Sequence, residues 1–318
     1  MSEAHEVLEV QASQVSATQV SIIVPVYNDV ARLQSCLRAL TKQSWPSARF
    51  EIVVVDNNSE QDVASVAHAH GVTLLREPTP GSYAARNTGI AAAKGEILAF
   101  TDADCLPSEH WLERAVEALL AARTTPSDPV IVGGPVKLFP RDADAPSWVE
   151  TYELTTAFDQ RRYVQEQHYS VTANCVTTRA TFEQVGLFNA ELRSAGDKEW
   201  GQRAYAQGAK LVYAPGAIVH HPARHDLTEL LSKRRRQTGG MWRAAQNTLP
   251  RWAASAKMLA QVTRPPAERL VKAWKNSPDQ SPLGRLKSVG RVAAVAGALS
   301  AVCSVEVCRL HLGKVPER

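Results

Sequence analysis

The chain has 318 residues, 44% hydrophobic and 21% charged, a balance that excludes a disordered or fibrous protein. That length suits one large α/β domain with additions, or two domains. Net charge is only +4, but residues 233–318 hold 17 Lys or Arg against 4 Asp or Glu, which puts +13 there and −9 on the first 232 residues.

Such asymmetry turns the C-terminal part toward something anionic. No nucleic-acid-binding motif accompanies the charge, so nucleic acid is not the expected partner, and an anionic membrane surface fits better. The five Cys are scattered and none forms Cys-x-x-Cys, which disfavours a disulfide framework or structural zinc and favours a reducing, cytoplasmic compartment.

Residues 1–19 carry Glu3, Glu6 and Glu9 with no basic cluster and no long apolar stretch. They do not read as a secretory signal and are expected to be a flexible tail. Val20 to Val26 is a short β-branched run, expected as a buried strand that exits at Tyr27-Asn28. A helix follows from Val30 to Lys42, with Leu33, Leu37 and Leu40 at helical spacing. Ile52 to Val55 is a second strand, ending at Asp56-Asn57-Asn58-Ser59, and a helix from about Asp62 to His70 is closed by Gly71. Val72 to Leu75 is a third strand. The Pro78-Thr79-Pro80-Gly81 loop then leads into an Ala-rich helix from Ser82 to Lys94. Glu96 to Phe100 is a fourth strand that exits at Thr101-Asp102-Ala103-Asp104. Alternating strands and helices predict a mixed, mostly parallel sheet flanked by helices, an α/β fold.

A helix is expected from about Ser108 to Ala122, then a strand over Val130 to Leu138 that carries Gly133-Gly134. Residues 141–170 read as irregular. Val171 to Thr178 reads as a strand, Asp197 to Gln207 as a helix, and Leu211 to Tyr213 and Ala217 to His220 as short strands. From Asp226 the chain reads as helical segments broken by Pro250, Pro265-Pro266, Pro278 and Pro282. Val292 to Val305 is an apolar run shorter than the ~20 residues that span a bilayer, so it is read either as a helix packed on the domain or as one at a membrane interface.

The chemistry concentrates at three polar strand exits. In an open parallel sheet, ligands bind beyond the carboxyl ends of the strands. Two carboxylates one residue apart, Asp102 and Asp104, suit a divalent cation and a diphosphate; the competing reading is a polar turn that helps cap the next helix. No Gly-x-Gly-x-x-Gly follows the first strand, and there is no P-loop motif.

Four pieces in order carry a family resemblance: Ser21 to Asn28, Val53 to Ser59, Gly81 with Ala85-Arg86-Asn87-Thr88-Gly89, and Phe100 to Asp104. Together they closely resemble the family 2 glycosyltransferases of the GT-A fold, over roughly residues 20–240. The resemblance implies a Rossmann-like, nucleotide-diphospho-sugar-binding architecture and an inverting transfer of sugar from a nucleotide donor, a UDP-sugar first of all, to an acceptor hydroxyl. It implies that Asp56 accepts a hydrogen bond from the base, where the local alternative is an Asx turn. Pro25 and Tyr27 would wall the base. Arg86 would reach a phosphate or hold the Asp pair. Asp102 would lie toward the ribose and the metal, and Asp104 would bind Mn2+ or Mg2+.

Ser194 to Arg203 resembles the family's acidic motif, which places the catalytic base at Asp197. Gly196 stands where an acid is common and Glu199 where Asp is common, so Glu199 stays beside Asp197 as an alternative. A His near His220-His221 would complete the metal shell, His220 preferred. Lys233-Arg234-Arg235-Arg236 would contact a diphosphate or a lipid-phosphate acceptor, or form a solvated helix face. The organisation expected is a tail (1–19), a glycosyltransferase domain (20–232) with a nucleotide-sugar half (20–122) and an acceptor half (123–232), and a basic helical extension (233–318). The expected setting is cytoplasmic, peripheral to the inner face of a membrane, with a glycan or lipid-linked acceptor. A sugar nucleotidyltransferase, or a non-catalytic nucleotide-sugar-binding or scaffold protein, are the rival readings.

Overall fold

The computed structural model describes residues 20–246, 248–277 and 279–314. The expected tail at 1–19 lies outside the described residues. The chain divides into two compact units, one built from residues up to Lys137, Gln160–Glu191 and Gly196–His220, the other from Leu138–Asp159, Leu192–Ala195 and the residues from His221 onward.

The first unit is an α/β layer. Its strands are β1 (Val20–Val26), β2 (Phe50–Asp56), β3 (Thr73–Arg76), β4 (Ile97–Phe100), β6 (Val130–Gly133), β8 (Cys175–Thr178) and β9 (Lys210–Tyr213), in the sheet order β3-β2-β1-β4-β8-β6-β9. The first four are mutually parallel. β8 runs antiparallel to β4 and β6, and β9 is parallel to β6. This is the mixed, mostly parallel sheet expected from the alternating pattern.

β1 lies in the interior of the sheet and is buried along its whole length. Each buried Ile or Val there contributes about 1.5–3 kcal/mol relative to exposure. Pro25 pairs with Val55 on one side, whereas the ladder with β4 ends at Ile23. A residue without an N–H is tolerated where the second ladder has already stopped.

The helices of this unit are α1 (Val30–Leu40), α2 (Val63–Ala69), α3 (Ser82–Ala92), α4 (Trp111–Ala122), α6 (Gln160–Gln165), α7 (Arg179–Val185) and α8 (Gly196–Ala206). Leu33, Cys36, Leu37 and Leu40 form the buried stripe of α1. Helix α3 lies tight on the sheet at Gly89, where a Cβ would stand 2.5 Å from the Ile23 side chain. That approach fixes the start of α3, with Tyr83 and Arg86, against the strand exits.

The expected strand over Val130 to Leu138 is two strands in different sheets. β6 ends at Gly133, and β7 (Val136–Phe139) joins β5 (Leu106–Pro107) and β10 (Val219–Pro222) in a small sheet of order β5-β10-β7. The break falls at Gly134-Pro135, where a Cβ on Gly134 would meet the Ala217 carbonyl oxygen at 1.9 Å. The stretch expected to be irregular also contains helices, α5 (Trp148–Thr156) and α6. Ser147 and Glu150 form a capping box at the start of α5.

The second unit is helical: α5, α9 (Leu227–Gln246), α10 (Arg251–Val262), α11 (Ala267–Lys275) and α12 (Pro282–His311). Helix α12 has 30 residues, twice the apolar run visible in the sequence. Among the described residues it alone is long and apolar enough to cross a membrane by length and composition. Val292, Val295, Ala296 and Leu299 pack with Val149, Tyr152, Leu230 and Ala273, and Val307 and Leu310 pack with Trp242, Ala254 and Met258. One stripe of α12 is therefore a core element of the helical unit.

Gly134→Ala is expected to cost about 2–3 kcal/mol, because the Cβ collides with a backbone oxygen that cannot rotate away. A lowered urea midpoint with an unchanged slope checks this.

Candidate active site

Because β1, β2 and β4 are parallel neighbours, their carboxyl ends share one edge of the sheet. Tyr27-Asn28, Asp56-Asn57-Asn58 and Asp102-Ala103-Asp104 all leave from that edge. Asp56 lies in register with Val26. Its Oδ1 accepts the Ser59 N–H at 2.9 Å, which is the Asx-turn geometry, while Oδ2 has no protein donor among the described residues. One carboxylate thus closes the strand and still offers an oxygen to a ligand. Tyr27 is 63% exposed at the mouth of this edge, and Pro25 is buried in β1.

Asn57 carries a role the motif reading missed. Its Nδ2 donates to the Glu77 and Thr79 carbonyls at 2.9 and 2.8 Å, and its Oδ1 accepts the Gly81 N–H at 2.7 Å. All the hydrogen-bonding groups of a buried amide are spent on holding the Pro78–Gly81 loop to the end of β2. Gly81 has φ 134°, which only glycine adopts readily, and it leads directly into α3.

Arg86 is buried and donates through Nη2 to Asp102 Oδ1 in a close ion pair. Of the two roles the sequence left open, the contact this geometry displays is with one member of the Asp pair, Asp102. The guanidinium also lies over the Tyr83 ring, 5.5 Å from its centroid. Its buried Nε has no acceptor among the described residues.

Tyr83 extends this contact chain to α8. Its hydroxyl accepts the Gly196 and Asp197 N–H groups at 2.9 and 3.2 Å, and it lies 3.3 Å from Asp197 Oδ1, to which it donates. The ring explains why Gly196 departs from the family pattern: a Cβ there would stand 2.6 Å from the ring. An acidic side chain has no room at that position. Tyr83 is absent from the motif reading because an aromatic near the start of an Ala-rich helix looks like ordinary core.

Asp197 Oδ1 also accepts the Lys198 N–H at 2.8 Å. Burial pushes this carboxyl above the ordinary Asp range, against the Lys198 N–H, the Arg86 charge and the Tyr83 hydroxyl, which pull it down. Glu199 is engaged differently: it pairs with Arg203 Nε at 2.8 Å, and Arg203 donates to the Val185 and Leu187 carbonyls. That clamp braces α7 against α8.

Asp102 and Asp104 supply hard carboxylate oxygens at a partly exposed edge, while the nearby thiols of Cys36 and Cys105 are buried. This donor set fits a hard divalent cation of the Mg2+ or Mn2+ class better than a thiophilic metal. His220 lies in β10 opposite Leu106, two residues beyond Asp104 along the chain, and joins no group of three or more potential metal ligands among the described residues. His221 faces the other side of the strand and belongs to the second unit, where its ring lies 5.1 Å from that of Phe158.

The family described as Glycosyl transferase family 2 matches residues 21–185. Glycosyltransferase AglE of Haloferax volcanii is 36% identical over 221 residues, covering 67% of this chain and 70% of that protein. The pre-mycofactocin glycosyltransferase of Mycobacterium tuberculosis is 29% identical over 230 residues, 69% of this chain, which spans only 46% of that relative. Among solved structures, the mannosyltransferase PcManGT of Pyrobaculum calidifontis, in complex with GDP-Man and Mn2+, superposes with a TM-score of 0.60 at 21% identity, over 93% of this chain and 87% of that one.

Tyr83→Phe is expected to cost about 1–2 kcal/mol, because two α8 amides lose their acceptor. Gly196→Ala is expected to cost at least as much by forcing the ring aside. Paired urea denaturation curves check both.

Proposed function

The chain belongs to glycosyl transferase family 2 and has the GT-A fold, and on that premise we propose an inverting transfer of sugar from a UDP-sugar to a hydroxyl of a cell-surface glycan or glycolipid. That it is a glycosyltransferase disposes of the nucleotidyltransferase and scaffold readings. The observation that carries the proposal is the continuous contact Asp102–Arg86–Tyr83–Asp197, which couples the carboxylate pair at the strand exits to the carboxylate at the start of α8.

In this reading Asp56 Oδ2 accepts the imide N–H of uracil, with Tyr27 and Pro25 beside the ring. Asp102 faces the ribose and keeps its position through Arg86. Asp104, with a histidine of β10, would hold Mn2+ or Mg2+, which would supply Lewis-acid neutralisation of the charge on the leaving diphosphate. The Mn2+ in the solved mannosyltransferase supports the same class of cation here. Asp197 takes the proton of the acceptor hydroxyl. That oxygen forms the new bond to the anomeric carbon from the face opposite the diphosphate, whose bond to carbon breaks and whose oxygen keeps the electron pair. A positioned base of this kind contributes roughly 10²–10⁴ in rate. Its raised pKa brings it closer to the acceptor's and makes it a stronger base than an exposed Asp.

The proposed setting is the inner face of a membrane. The excess charge of residues 233–318 supports it, as do the exposed Trp252, Trp274, Leu283 and Leu286 of the helical unit. Flotation of the full chain with phosphatidylglycerol vesicles at low salt is expected; a chain left at the bottom of the gradient removes this part of the reading.

Two outcomes test the site. Asp197→Asn should lower kcat roughly 10²–10⁴-fold and raise Tm at neutral pH. The sign follows from linkage: a folded-state pKa above the unfolded value makes the ionised carboxylate a cost to the fold once pH rises past the unfolded pKa. The acid limb of kcat/KM should lie above the ordinary Asp pKa, shift to higher pH in Arg86→Gln, and shift to lower pH in Asp102→Asn. Asp104→Ala should abolish stimulation by Mn2+, and titrating Mn2+ in His220→Ala and His221→Ala identifies the second ligand. Full transfer by Asp197→Asn would sink the assignment.

A further inference from the structure

The run Lys233-Arg234-Arg235-Arg236 on α9 is not a solvated face. None of the four side chains is exposed; all are partly buried within the helical unit. Lys233 Nζ and Arg224 Nη1 share one carboxylate, Glu153 Oε1, each at 3.2 Å. Glu153 itself is 2% exposed. Arg234 and Arg269 both donate to the Tyr152 hydroxyl, at 3.3 and 3.1 Å, and Arg234 also donates to Gln237 Oε1 at 3.2 Å. Arg236 makes no hydrogen bond or ion pair among the described residues. It is nevertheless half-buried, and burial followed by the Arg224 charge pulls its pKa down. Burial, then Arg224, pushes Lys233 down to about 8 despite Glu153.

Two partly desolvated cations share the Glu153 carboxylate and Arg236 adds a third charge near Arg224, a gathering of like charge that is costly. The cost is offset if an anion with several acceptor oxygens completes the set, and guanidinium forks match phosphate geometry.

We propose that Arg224, Lys233 and Arg236, the last two at i,i+3 on one face of α9, form a binding site for a phosphate or diphosphate group, carried by the lipid-linked acceptor or by an anionic lipid headgroup. The site deepens the glycosyltransferase reading by giving its acceptor a chemical class, but its test needs no turnover. Arg236 is the informative position, because it has no structural partner to lose. Arg236→Gln should leave Tm unchanged or raise it in phosphate-free buffer, whereas a residue that holds the fold together would lower it.

The experiment is calorimetric titration of the full chain with inorganic pyrophosphate, without metal or donor. Arg236→Gln should weaken binding at least tenfold, and the exposed Lys257→Gln should leave it unchanged. Two further probes separate the sources: a short-chain isoprenyl monophosphate in detergent, and phosphatidylglycerol vesicles. Loss of the first alone in Arg236→Gln assigns the acceptor phosphate, and loss of the second alone assigns the headgroup. The proposal is overturned if wild type binds no probe, if Lys257→Gln weakens binding as much as Arg236→Gln does, or if Arg236→Gln lowers Tm. Loss of pyrophosphate binding alongside normal Asp197-dependent transfer to a phosphate-free acceptor would separate this site from the catalytic reading.

Discussion

A buried guanidinium is the constraint around which the first unit is arranged. Arg86 sits one turn into α3, at a depth where an unpaired charge would cost several kcal/mol. Asp102 answers it from the exit of β4 and the Tyr83 ring answers it from its own helix. Everything that secures α3 therefore secures the carboxylate edge: the Gly89 contact on β1, the Asn57 clasp on the Gly81 loop, and the paired amide bonds of Asn87 with Phe188. Losing any of these loosens an ion pair, not only a helix.

The same arrangement separates two carboxylate environments. Asp102 is one-third exposed and bound to a cation, whereas Asp197 is sheltered and reached mainly by hydrogen-bond donors. Burial penalises the charged form at Asp197, and Arg86 limits that penalty without pairing with it directly. A carboxylate kept basic in this way is a cost to folding, and a close-packed tyrosine and glycine are what hold it in place. Active sites commonly carry such locally unfavourable groups.

Much of this was legible in the sequence, for physical reasons. β1, β2 and β4 are dense runs of β-branched or apolar residues with polar exits, and nothing in their surroundings competes with that signal. The Asp56 turn and the Asp102–Asp104 pair were visible because carboxylates at strand ends have few uses. Other features were silent. The break at Gly134 hides inside an apolar run, and its cause is a carbonyl some eighty residues away. Helices α5 and α6 are short and unevenly apolar, so no period emerged. Tyr83 looks like core until its hydroxyl is seen on the α8 amides. The length of α12 was masked because its first two turns are interrupted by Arg285 and Lys287. The Lys233–Arg236 run admitted opposite readings because its burial depends on α5 and α11, not on its own composition.

The route of the chain through its two units has one more consequence. Lys137, Asp159, Glu191, Ala195 and His220 are the last residues before successive crossings from one unit to the other. The helical unit is thus built from three separate stretches of the chain. No single cut separates the two, so recombination with a relative cannot exchange the helical part as one cassette. Exchanging the helical unit whole would require carrying 138–159 and 192–195 along with the residues from His221 onward.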